Sequence, residues 1–281
     1  METELLAKHL GAKIHGIDLS KDLTATEFTD IYQAFLDHLV LVFPDQELDP
    51  EQLVNFSNRF GDLEPPHPIF PSHPEDPRIS LILNDADHPP ENDQWHTDVT
   101  WRQSPPLAGI LHAKKLPPSG GDTMWCSMYA VYEALPESDK ERFRLLNGVH
   151  TVATFADSDY QDVTATDLAK AIASNPPVHH PMISTHPETE KPILFVNEGF
   201  TTHIAELTEE DSSATLQRLW KLIDHPEFRV RVKWEFNTLV VWDNRCITTL
   251  PLLCGRSLLA RYQSEVKERE DSNLRPHPYQ G

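Results

Sequence analysis

Between residues 79 and 126 the chain carries its apolar residues in short runs, Ile79 to Leu83, Trp95 to Trp101, Leu107 to Ala113 and Thr123 to Cys126, each bounded by Pro, Gly, Asn or Asp. Runs of that length and punctuation predict β-strands joined by tight loops. The pattern resumes at Val178 to Ile183 and Ile193 to Val196. It is sharpest from Phe228 to Phe236, where Phe228, Val230, Val232, Trp234 and Phe236 alternate with Arg229, Arg231, Lys233 and Glu235, as a strand with one buried face requires. Asn237-Thr238 then turns the chain into Leu239 to Trp242. Strands this short, with no helix after each one, argue against a βαβ fold. They predict a mainly β sandwich or jelly roll with flanking helices.

Four helices are expected at the periphery. Thr24 and Glu27 form a capping-box pattern ahead of Phe28, Ile31, Phe35 and Leu36, which predicts a helix over 25–37. Asp49-Pro50 reads as an N-cap followed by Pro at the first helical position. Leu53, Phe56 and Phe60 then recur on one side, and Gly61 closes the segment. Helical periodicity returns at 137–147 and at 208–223, the latter opened by Thr208 and Asp211 and carrying Leu216, Leu219, Trp220 and Ile223.

At 281 residues the chain can bury one large core, and with no linker, repeat or low-complexity tract a single domain over 1–281 is expected. The formal charge of −20 would repel a phosphate backbone, so neither nucleic acid nor an anionic membrane is an expected partner. The apolar run Leu39 to Phe43, stopped by Pro44, falls far short of the roughly 20 residues a spanning helix needs. The N-terminal residues mix both charges without the apolar stretch of a signal peptide, so a cytoplasmic protein is expected. Cys126, Cys246 and Cys254 are an odd set without CxxC spacing and read as buried thiols.

Trp95-His96-Thr97-Asp98 carries the chemistry. Residues two apart on a strand share a face, so the His96 imidazole and the Asp98 carboxylate can bind one cation from adjacent positions. Two His and one carboxylate make a facial triad that leaves three positions on Fe(II) for a bidentate 2-oxo acid and O2. With 15 His in an Asp-rich chain, about one such triplet arises by chance, so the motif alone does not decide the matter.

Four separated segments do more. Asn92 to Thr100, Ser119-Gly120-Gly121-Asp122-Thr123-Met124-Trp125, Leu194 to Thr202 and Trp242-Asp243-Asn244-Arg245 together resemble, in order and approximate spacing, the taurine dioxygenase family. The likeness runs from about residue 10 to residue 245. It implies a double-stranded β-helix in which Fe(II) and 2-oxoglutarate use O2 to oxidise a C–H bond of a small anionic substrate. Taurine or another sulfonate, with release of sulfite, is the implied case. By position, His96 and Asp98 look like the iron ligands and Thr123 like the hydroxyl on a 2-oxoglutarate carboxylate. His67, Phe70, Asn92, Phe155 and Phe200 fall where the family lines its substrate pocket, with Phe70 in place of a Tyr. Relatives of this kind self-associate, so a homo-oligomer is among the expectations. Read without the resemblance, Phe155 and Phe200 suit an ordinary core, Asn92 a turn and Thr123 a strand.

The pattern breaks after Arg245. The family's second iron-binding His falls on Thr249, and Cys246 to Gly255 contains no His, Asp or Glu. The family's paired arginines, the first for 2-oxoglutarate and the second for the substrate anion, are matched only loosely. Arg261 aligns with the second, while Ser257 holds the strict place of the first and Arg256 is its neighbour. A guanidinium suits either task because its planar fork meets a carboxylate or sulfonate with two parallel hydrogen bonds. Three explanations stay open: a degenerate relative that is weakly active or only binds, a third ligand from elsewhere, or paired reading-frame shifts across a short run of codons.

Overall fold

The computed structural model describes residues 1–66, 70–84, 94–117, 120–157, 165–252 and 259–266. The chain begins with β1 (Glu2–Leu5), β2 (Ala12–His15), α1 (Ala25–His38) and β3 (Val40–Phe43). Then come α2 (Pro50–Ser57), β4 (Ser80–Asn84), β5 (Ala108–Lys115) and β6 (Thr123–Ser127). Next are α3 (Met128–Ala134), α4 (Glu137–Phe143), β7 (Asn147–His150) and α5 (Ala165–Ser174). They are followed by β8 (Val178–Pro181), β9 (Ile183–Thr185), β10 (Pro192–Leu194), β11 (Thr201–Ile204) and α6 (Glu209–Ile223). The last strands are β12 (Arg229–Val232), β13 (Leu239–Asp243), β14 (Ile247–Pro251) and β15 (Leu259–Val266).

Seven strands form one sheet in the order β1-β2-β3-β13-β5-β15-β4, and a second sheet runs β12-β6-β14. Side-chain alternation along these strands sorts the apolar residues into layers. Leu41, Phe43, Ile110, Leu239 and Val241 leave one face of the large sheet and pack against Phe28, Ile31 and Phe35 of α1 and Leu53 and Phe56 of α2. Val40, Val42, Leu111, Val240 and Trp242 leave the other face and meet Trp125, Val230, Val232 and Ile247 of the second sheet. Behind that sheet, Met124 and Cys126 pack on Met128 and Val131 of α3 and on Leu216, Leu219 and Ile223 of α6. The result is helix, sheet, sheet, helix, which is the mainly β composition expected.

Local chemistry explains where the elements stop. Thr24 and Glu27 close a reciprocal capping box on α1, and Asp49 caps α2 with Pro50 at its first position, as the sequence predicts. Thr208 likewise caps α6 by accepting from the Asp211 amide. The helix expected over 137–147 ends at Phe143, and Asn147 begins β7 instead, paired with β8 and β11. The strand expected from Phe228 to Phe236 covers only Arg229–Val232. Its partner β6 begins at Thr123, opposite Val232, and beyond that point there is no ladder to join. No helix among the described residues is long and apolar enough to cross a membrane.

Candidate functional site

His96 and Asp98 do not lie on a strand, contrary to expectation for Trp95 to Trp101. Only His96 pairs: its N–H donates to the Thr249 carbonyl at 2.9 Å, and the Thr249 N–H returns to the His96 carbonyl at 2.6 Å. The chain then turns at Val99, whose φ of 58° is left-handed. For a β-branched residue that backbone is strained, and such strain persists only where surrounding contacts over-determine it. Here Val99 is buried with Trp101, Val152 and Phe200.

Within this turn the two side chains converge. His96 Nε2 stands 3.6 Å from Asp98 Oδ1, and the two side chains are 15% and 14% exposed. His96 Nδ1 lies 3.1 Å from the Gln94 carbonyl, to which it can only donate, and the other ring nitrogen, Nε2, is the one turned toward Asp98. Burial pushes the Asp98 carboxyl up from its ordinary range, with His96 pulling it back. Gly199 presses on the histidine from one side: a Cβ there would come within 2.8 Å of His96 Cβ. The Phe200 ring meets the imidazole edge-on at 6.4 Å.

Directly opposed residues of an antiparallel pair share a face. Thr249 therefore presents its side chain beside His96, and it is also opposite Trp125 on β6. Its hydroxyl is buried and, among the described residues, has no hydrogen-bond partner. Thr123 lies two residues from Trp125 on the same face, fully buried, and accepts a hydrogen bond from Trp234 Nε1 at 3.0 Å.

The expected site residues are not all brought together. Phe200 adjoins His96, and Thr123 shares a sheet face with Thr249. Phe70 is partly exposed at the end of its loop. His67, Asn92 and Arg256 lie outside the described residues, as do the side chains of Phe155 and Arg261.

Sequence reasoning missed what Asp243, Asn244 and Arg245 do. Arg245 grips Asp243 through Nε and Nη2, each at 2.8 Å, and reaches Glu188 through Nη1 at 2.6 Å. His186 Nδ1 accepts from the Glu188 and Thr189 amides, which leaves Nε2–H to donate to Asp243 Oδ2 at 3.0 Å. Burial alone would raise the Asp243 carboxyl, yet the Arg245 guanidinium and the hydrogen bonds from Arg245 and His186 hold it well below the usual carboxylate range. His186, Asp243 and Cys246 bring three ligand-type atoms within 4.8 Å of one another. With both Asp243 oxygens and both His186 nitrogens already engaged, this cluster is an internal ion-pair network and not a metal centre. The remaining residue of the turn, Asn244, faces the other way, onto Asp98.

The fold agrees with what comparison with known proteins finds. Residues 2–248 match the family described as Taurine catabolism dioxygenase TauD, TfdA family, and the chain belongs to it. That places it in the enzyme class of the 2-oxoglutarate-dependent dioxygenases. The matched region ends one residue before Thr249. An alkylsulfatase of Acinetobacter baylyi is 30% identical over 250 residues, covering 87% of this chain and 78% of its own. An alpha-ketoglutarate-dependent 2,4-dichlorophenoxyacetate dioxygenase of Cupriavidus pinatubonensis is 28% identical over 256 residues, covering 84% of this chain and 86% of its own. Among solved structures, a putative alpha-ketoglutarate-dependent taurine dioxygenase from Burkholderia xenovorans superposes with a TM-score of 0.82 at 30% identity, covering 95% of this chain and 93% of that one.

Proposed function

We propose that the chain is a double-stranded β-helix whose His96 and Asp98 hold Fe(II), and that it hydroxylates a small anionic substrate at the expense of 2-oxoglutarate and O2. The observation that carries this reading is the convergence of His96 and Asp98. Nδ1 stands 3.1 Å from the Gln94 carbonyl, and Nε2 stands 3.6 Å from a carboxylate oxygen inside a mostly buried turn. An imidazole nitrogen and a carboxylate oxygen suit a divalent first-row ion, and small rotations bring them to adjacent positions around it. Bound there, Fe(II) supplies the capacity to activate O2 with the 2-oxo acid.

The chain's own residues bind and orient. The Thr123 hydroxyl, its oxygen already accepting from Trp234, is the donor for a 2-oxoglutarate carboxylate. Arg256 and Arg261 supply the forks for the carboxylate of 2-oxoglutarate and the head group of the substrate. Phe155 and Phe200, with His67, Phe70 and Asn92, are the residues assigned to the substrate by their positions in the sequence. The relatives act, by their names, on alkyl sulfates, 2,4-dichlorophenoxyacetate and taurine, each carrying a sulfate, carboxylate or sulfonate group. The substrate proposed here is taurine or another sulfonate, cleaved to sulfite.

Thr249 supports a second reading. A buried hydroxyl without a partner, opposite His96, is a poor substitute for imidazole, and two protein ligands hold Fe(II) weakly. The alternative is a non-catalytic jelly-roll protein that binds a small acid. Anaerobic titration with Fe(II) and 2-oxoglutarate separates the two. A visible charge-transfer absorption followed, on aeration, by sulfonate-dependent sulfite release supports the oxygenase. Absence of both at saturating Fe(II) supports the binding protein.

A further inference from the structure

We propose that Asn244 is a positioning residue that fixes the Asp98 carboxylate relative to His96, an inference that rests on reading those two residues as metal ligands. The strand ladder cannot do this work. His96 is tied to β14 by its two backbone bonds with Thr249, but at Val99 the chain turns left-handed and the ladder stops. Asp98 therefore sits between a paired residue and a strained one.

Asn244 supplies the partners the ladder would have given. The Asp98 N–H donates to Asn244 Oδ1 at 2.9 Å, while Asn244 Nδ2 donates to the Asp98 carbonyl at 2.9 Å and to the Pro106 carbonyl at 3.1 Å. The side chain is fully buried, and the Asn244 backbone N–H donates to the Leu107 carbonyl at 3.0 Å. One acceptor and two donors at that reach define a carboxamide: Asp offers no donor and Leu neither kind of group. Behind it, the Asp243–Arg245–His186–Glu188 network holds the turn from which Asn244 projects. Both proposed ligands are thus indexed to one stretch of chain, His96 through Thr249 on β14 and Asp98 through Asn244 in the turn that carries the chain from β13 in the large sheet to β14 in the second.

Thr97 provides the control, because its hydroxyl donates to the Ile247 carbonyl at 2.8 Å and ties the same segment to β14 without touching the Asp98 peptide. The experiment measures Mn(II) affinity by electron paramagnetic resonance in full-length wild type, Asn244→Ala and Thr97→Val, each also carrying Thr249→His in a second set. Amide hydrogen exchange at Asp98 is followed in the metal-free proteins. Asn244→Ala is expected to weaken Mn(II) by about 10- to 100-fold, the usual cost of losing an outer-shell partner, and to accelerate exchange at Asp98. Thr97→Val is expected to lower the unfolding temperature while leaving Mn(II) affinity within about threefold. Should Asn244→Ala not fold, Asn244→Asp keeps the acceptor for the Asp98 amide and loses both donors. Protection at Asp98 with weakened Mn(II) is then the expected result. Unchanged Mn(II) affinity in a folded Asn244 variant overturns the inference, as does an equal loss in Thr97→Val. If neither wild type nor Thr249→His binds Mn(II), the ligand assignment fails and the inference falls with it. In that case unchanged exchange at Asp98 in Asn244→Ala would show that the clamp itself is also wrong.

Discussion

Gly199→Ala tests whether His96 stands where the site needs it. An added Cβ would meet His96 Cβ at 2.8 Å and His96 Cα at 3.7 Å, so the obstacle is the root of the side chain and its backbone, not a flexible end. Ordinary contact begins at 3.4 Å, so the histidine or the Gly199 loop must give by about 0.6 Å. The loop is not free to retreat, because the Gly199 N–H is bonded to the Trp95 carbonyl at 3.0 Å. His96 is held in turn by its two bonds to Thr249. Overpacking of this kind costs about 1–3 kcal/mol of stability. Displacing a functional group by approximately 0.5 Å already exceeds the tolerance of a working site. The variant is therefore expected to fold with a lower unfolding temperature and to bind Mn(II) about tenfold or more weakly. Thermal denaturation followed by circular dichroism and Mn(II) titration of the same sample give both numbers. A folded Gly199→Ala with wild-type Mn(II) affinity would refute the placement of His96 as a ligand.

Two further outcomes follow from the buried charges. Arg245→Ala leaves Asp243 buried without its guanidinium and should cost about 3–5 kcal/mol in urea unfolding. Arg245→Lys should recover little of this, because a point charge cannot reproduce the fork. Burial, with help from Lys114, pushes His112 down to about 4. Burial also depresses His150, beside His180, and His180 itself. As pH falls, the unfolded chain takes up these protons near pH 6.5, before the native protein does. Stability should accordingly be intact above about pH 6.5 and fall toward pH 4, by about 3 kcal/mol for His112 alone. A His112→Gln variant should flatten that slope in urea titrations across this range, and a flat wild-type profile would contradict the assignment.

How much of this was legible in the sequence depends on the range of the interaction. Caps are local, so Thr24 with Glu27, Asp49 with Pro50, and Thr208 placed three helix starts correctly. Alternation from Phe228 predicts a strand but not its end, which is set by where β6 begins more than a hundred residues away. The turn at Val99 carries no glycine signal, so Trp95 to Trp101 reads as a strand although only His96 pairs. The spacing of His96 and Asp98 was legible. That Thr249 would be paired with His96, and that Asn244 would hold the Asp98 peptide, are non-local facts visible only once β13, β14 and the turn between them are in place. The motif Trp242 to Arg245 pointed at this region, but nothing in its letters separates the residue facing the site from the two buried in an ion-pair network.

The proposed metal pair, His96 and Asp98 with Thr249 beside His96, is tested by Mn(II) titration of wild type, His96→Ala and Thr249→His in the presence of 2-oxoglutarate. Weak binding by wild type, loss of binding in His96→Ala and tighter binding in Thr249→His are expected. Binding that survives His96→Ala, or a folded Thr249→His that takes up no metal, would contradict the proposed pair.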